Sequence, residues 1–243
     1  DQVGADSARR DALIGCELTA VDDDCGRAFL ADFGLRAWRR PLSADEIEQL
    51  VALGGQVGTD LGESDPHLAM RFVLAGVLQS PHFLFRIEQG EADEASGYLR
   101  YTDYEMASRL SFLITAAPPD DELLDAAAAG LLTDVDEVEA QARRLLATDA
   151  ARPALVAFFR DFMGISRLDA LDKNVELFPA FSATLGPSMR GEIERMFEGV
   201  VFESGGDFRQ LFTTRDTYLN EELARVYGVA GVTGEELVPV TLP

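Results

Sequence analysis

Apolar residues recur every three or four positions along nearly the whole chain, and short polar or proline-containing breaks separate the runs. A period near 3.6 belongs to helices with one buried face, whereas a half-buried strand needs a period of two. The first run carries Ala28, Phe29, Phe33, Ala37 and Trp38 from a start near Asp23 or Asp24. It ends at Arg39-Arg40-Pro41, because proline disfavours a helical residue before it. Ser43-Ala44-Asp45-Glu46 forms a capping box, and the helix it opens is expected to stop at Gly54-Gly55. A polar loop to Glu63 follows. Asp65-Pro66 then opens a helix that carries His67 in its exposed first turn and runs to Ser80-Pro81.

After Pro81 the period changes. Phe83 to Ile87 is short and aromatic, and Tyr98 to Tyr101 is its expected strand partner across an acidic loop. Thr102-Asp103-Tyr104-Glu105 is a second capping box, opening a helix to Ile114 with Glu105 and Arg109 as a pair four apart. Further helices are expected from Asp120 to Gly130, Asp134 to Ala147 and Pro153 to Met163. An irregular stretch covers Leu168 to Phe181. Ser182 to Glu203, Asp207 to Phe212 and Glu221 to Tyr227 complete the helices. Helical spacing places most of Phe158, Phe159, Phe162, Phe178, Phe181 and Phe197 in a core. The fold class is therefore mainly α, a multi-helix orthogonal bundle with one small two-stranded β-ribbon. Residues 1–22 read as a linker with the start of a disulfide loop. Residues 23–90 form an N-terminal helical unit and 91–236 a C-terminal helical domain. Residues 237–243, with Leu237-Val238-Pro239-Val240, read as the start of a following domain.

Charge narrows the partners. The chain has 43 acidic against 21 basic residues, a formal charge of -22. Such a surface repels nucleic acid and anionic lipid. No apolar run reaches the length that spans a bilayer, so membrane insertion is not expected. The two cysteines, Cys16 and Cys25, lie outside any CxxC or CxxCH pattern. They are expected to close a local disulfide, which belongs to an oxidising compartment; two reduced core cysteines are the alternative.

SPHFLFRIE, DYEMASRLSFLI and PPDDELL, read in that order, resemble exported multidomain proteins of planctomycetes and myxobacteria. The matching pieces are domain of unknown function fifteen-ninety-five followed by domain of unknown function fifteen-ninety-two. Arg36-Ala37-Trp38-Arg39-Arg40-Pro41-Leu42 fits the first; Tyr101 to Leu124, Leu168 to Leu171 and Tyr218 to Gly228 fit the second. The chain departs from the family pattern at Ile114-Thr115-Ala116, where an aromatic residue is expected. The resemblance implies export, to the periplasm or beyond the cell. It also implies a neighbouring cytochrome c-type module, so that haem belongs to another domain and no cofactor is encoded in this segment. It supplies no catalytic residues.

His82, Arg86 and Arg109 are the ligand-binding candidates. His82 has the chemistry of a metal or haem ligand, but a histidine hydrogen-bonded at a packed corner is the expectation. Arg86 and Arg109 have the geometry to hold a carboxylate or sulfate, or each pairs with an acid such as Glu88, Glu105 or Asp161. Asp22-Asp23-Asp24 and Asp120-Asp121-Glu122 sit at helix starts, where acids favour the dipole without a cation. Asp172-Lys173-Asn174 lacks the glycine of a calcium loop, and no metal site is read. No nucleotide, zincin or serine-hydrolase motif is present. The leading function is a helical scaffold or interaction module, with other domains of the same chain or a redox protein as partners. The alternatives are part of an extracytoplasmic oxidoreductase or other enzyme completed by further domains, and an extracellular polysaccharide-binding module.

Overall fold

The computed structural model describes residues 6–62, 65–94, 96–203 and 205–243. Residues 1–5 of the expected linker and Glu63 at the end of the expected loop lie outside the described residues. The chain is mainly α with two small antiparallel strand pairs. It divides into two compact units, Asp1–Arg144 and Leu145–Pro243.

The first unit begins with a helix where a linker was expected. Helix α1, Ser7–Ile14, starts because the Asp6 carboxylate accepts from the Ala8 and Arg9 N–H groups, and it ends at left-handed Gly15. The Cys16–Cys25 disulfide then closes a loop that delivers Leu18 and Val21 to the core. Helix α2, Asp24–Trp38, is capped by Asp23, whose carboxylate also accepts from Thr19 and Ala20. These donors, the Gly26 N–H foremost, hold the Asp23 carboxyl far below the usual range.

Helix α3 has the expected capping box but spans Ala44–Leu61, running through Gly54-Gly55 to left-handed Gly62. Gly54 serves packing rather than termination. A Cβ there would lie 2.9 Å from Val21 Cγ1. Helix α4, Pro66–Gln79, starts at the Asp65-Pro66 signal. Its Met70, Val73 and Val77 bury with Phe29, Leu30 and Leu50 into one core. The expected strand at Phe83 to Ile87 is not one. Ser80 caps a single turn, α5 (Pro81–Leu84), because proline is pre-set for a first helical position and the Ser80 hydroxyl accepts from His82 N–H. The ribbon instead pairs β1, Glu91–Ala92, with β2, Leu99–Arg100. Helix α6, Asp103–Thr115, follows the second capping box, and packs on α7, Asp121–Ala128, through buried Ala107, Leu110, Leu123 and Leu124. Helix α8, Val135–Leu146, carries the boundary between units in its last turn.

In the second unit, α9 (Ala151–Phe162) passes through left-handed Gly164 into a 3₁₀ segment, Ile165–Ala170. Phe159 stacks on Phe197 with centroids 4.1 Å apart. Phe158, Phe162 and Phe178 face outward instead of joining the expected core. Helix α10, Leu185–Glu198, ends in a π-helical turn, Gly199–Glu203, and a 3₁₀ turn covers Phe208–Phe212. Strand β3, Asp216–Leu219, carries no periodic signal in the sequence reading. It pairs with β4, Val238–Thr241, on either side of α11, Glu221–Tyr227. The segment expected to open a following domain thus folds back into this unit.

Candidate functional site

Helix α2 ends at Arg39 with φ 60°, a left-handed position that favours glycine. Holding an L-residue there costs about 1–2 kcal/mol. The guanidinium of Arg39 offsets this by donating to three carbonyls, those of Ala37 (3.0 Å), His82 (2.6 Å) and Phe85 (2.9 Å). It therefore ties the end of α2 to the α5 turn. Arg39 is buried, and its cation also approaches the Phe112 ring at 5.8 Å. Desolvation first, then the nearby charge of Arg86, lowers its pKa from the ordinary value.

Arg40 grips the second helix start. Its fork donates to both oxygens of Glu46 at 2.7 and 2.9 Å, the same glutamate that closes the α3 capping box. Arg40 Nη2 also lies 3.4 Å from His82 Nε2, and the His82 ring lies against Trp38 with centroids 4.9 Å apart. Burial, then the Arg40 charge, lowers the His82 pKa, so the imidazole is neutral at pH 7. An arginine can only donate, so the contact assigns the bare nitrogen to Nε2 and the proton to Nδ1.

Glu105 performs the matching task at the start of α6. Its carboxylate accepts from the N–H groups of Thr102 (2.9 Å), Gln89 (2.7 Å) and Gly90 (3.1 Å). Burial acts to raise its pKa, and the backbone donors outweigh burial, so Glu105 titrates below the usual range. Because of these bonds the expected Glu105–Arg109 pair does not form. Arg109 pairs with Glu88 at 2.9 Å and lies over the Tyr101 ring.

Between these groups is a cavity of about 330 Å³. Its wall is formed by Trp38, Arg39 and Arg40, by His82, Ile87, Gln89 and Gly90, and by Thr102, Tyr104, Glu105 and Ser108. Of the three sequence candidates only His82 lines it. Arg86 and Arg109 border a separate hollow with Glu88 and Leu113. Arg86 rests over Phe112 at 5.2 Å, sharing that ring with Arg39. Trp38, Arg39, Arg40, Tyr104 and Ser108 line the cavity without being among the sequence candidates. Two arginines beside a tryptophan at a proline-terminated helix end set Trp38, Arg39 and Arg40 apart in the sequence, but no local pattern joins them to His82 or marks Tyr104 and Ser108. Among the described residues no group of three or more His, Cys, Asp or Glu is placed to hold a metal.

The wall draws on RAWRRPL, SPHFLFRIE and the start of DYEMASRLSFLI, which lie far apart in the chain. A family model described as PSD5, protein of unknown function (DUF1595), matches residues 25–88. Another, PSD4, protein of unknown function (DUF1592), matches residues 101–229. No curated protein and no solved structure matches the chain. The cavity takes residues from both matched regions and from Gln89 and Gly90 between them. Since the longer match covers more than half of the sequence, the chain belongs to the DUF1592 family, with a DUF1595 region preceding it.

Proposed function

We propose that the chain is a helical scaffold and interaction module of an exported multidomain protein. The observation that carries this reading is the use of its charged signature residues. Arg39, Arg40 and Glu105 each hold main-chain groups or an acid of the same unit, and the Arg109–Glu88 pair and the Arg39 cation over Phe112 join the DUF1595 and DUF1592 regions. Residues used this way fix the relative placement of chain segments. The Cys16–Cys25 disulfide supports an oxidising compartment, and the family resemblance supports a cytochrome c-type module as neighbour. Other domains of the same chain are the proposed partners.

The test is a binding titration of this segment against the remaining domains of its full-length gene product. Association in the micromolar range or tighter supports the scaffold reading. Absence of association, together with turnover that depends on both pieces, replaces it with the second reading. That reading is an enzyme completed by further domains, and the neutral His82 in a polar cavity favours it.

A further inference from the structure

The charged and the neutral polar groups of the cavity differ in what they have left to offer. Arg39 donates to three carbonyls, Arg40 to Glu46 and Pro41, and Glu105 accepts from three backbone N–H groups. Arg40 is paired with Glu46, and the Arg39 cation and the Glu105 carboxylate, held by carbonyls and amides respectively, are opposite charges on the same wall. Tyr104 Oη, Ser108 Oγ and the Gln89 carboxamide have no hydrogen-bond partner among the described residues. Neither hydroxyl is sealed away from solvent without a partner. The His82 Nδ1–H is likewise without a protein acceptor once Nε2 faces Arg40.

Hydroxyl, phenol and carboxamide side chains each both donate and accept, and a neutral imidazole adds one donor. A ligand that satisfies such a set carries many hydroxyls of its own and no charge. Trp38 and Ile87 supply the apolar part of the wall. The volume of about 330 Å³ is near the low end of ligand pockets, which favours one ring over a chain. We infer that this cavity binds a single neutral sugar ring, held by Tyr104, Ser108, Gln89 and His82. The inference goes beyond the scaffold reading and does not depend on it.

Ligand-observed NMR titrations of the full chain test it, with glucose, galactose, mannose and N-acetylglucosamine as probes. Glucuronic and galacturonic acids serve as anionic comparators. At least one neutral sugar is expected to bind in the millimolar range, more tightly than either uronic acid. Tyr104→Phe and Ser108→Ala each remove one hydrogen bond and are expected to weaken binding about three- to tenfold. Arg143→Ala, at an exposed pair with Glu139, leaves affinity unchanged. Ser108→Leu fills the cavity and abolishes binding, and a circular dichroism melt confirms that each variant is folded. The inference is overturned if no neutral sugar binds, if a uronic acid binds more tightly, or if folded Tyr104→Phe and Ser108→Ala both retain wild-type affinity.

Discussion

Glu46 shows how one residue serves two structures. Its carboxylate closes the α3 capping box and receives the Arg40 fork. Arg40 is the main cause of a Glu46 pKa lowered from the ordinary 4.5 to about 2. A depressed folded-state pKa means that the unfolded chain takes up a proton first on acidification. The stabilisation is complete above pH 4.5 and is lost as pH falls towards 2. Both side chains retain some solvent, so its size is on the order of 1–2 kcal/mol. Thermal melts of wild type and Glu46→Gln should differ by a constant amount above pH 5 or so, and converge at the acid end of that window. Loss of self-repulsion in so acidic a protein affects both alike and cancels in the difference. A gap that persists undiminished to the lowest pH contradicts the assignment. His82 is legible as a distinctive residue from its setting between Pro81 and Phe83. Its neighbours Trp38 and Arg40 are not, because no local pattern brings positions some forty residues apart together.

At the scale of elements, side-chain caps are the legible part of the fold. Ser43, Asp65 and Thr102 open helices as the sequence predicts, and Asp23, Asp120 and Asn220 cap helices at or beside the expected starts. A cap is local chemistry, satisfied within three residues. Glycines and strands are less legible, since what approaches them comes from elsewhere. Gly54 reads as a helix stop and is a packing position, because Val21 is brought against it by a loop that precedes α2. Gly54→Ala gains helix propensity of about 1 kcal/mol but drives a methyl into the Val21 side chain. Overpacking typically costs 1–3 kcal/mol or so. The net expectation is a lower melting temperature, whereas Gly55→Ala, with open space at its Cβ, raises it. A Gly54→Ala variant as stable as Gly55→Ala would show that Val21 yields freely. Strand β3 escapes the sequence reading for a related reason. Four residues of strand acquire meaning only from β4, about twenty positions away.

At the scale of the whole molecule, family boundaries and compact units do not coincide. The DUF1592 match, residues 101–229, begins within the first unit and ends within the second. A break near residue 90 is a reasonable expectation from the acidic ribbon, but α6 and α7 belong to the first unit with everything before them. That unit depends on its clasp. A disulfide around so short a loop contributes about 2–3 kcal/mol, and it holds the segment that inserts Leu18 and Val21. Thiol titration of unfolded, unreduced protein should find no reactive cysteine. The Cys16→Ser/Cys25→Ser variant should lose stability of that order in denaturant melts. Two free thiols, or an unchanged melt, would remove the clasp from the account. Glu105 carries a consequence of a different kind. One carboxylate accepts the amide protons of Gln89, Gly90 and Thr102, at the start of α6 and in the loop that leads into β1. Those amides share a single lock, and fraying of the first turn of α6 releases all of them together. Hydrogen–deuterium exchange is expected to find them in one kinetic class, which would couple that part of the cavity wall to the end of a helix; three separate exchange rates would contradict the shared lock.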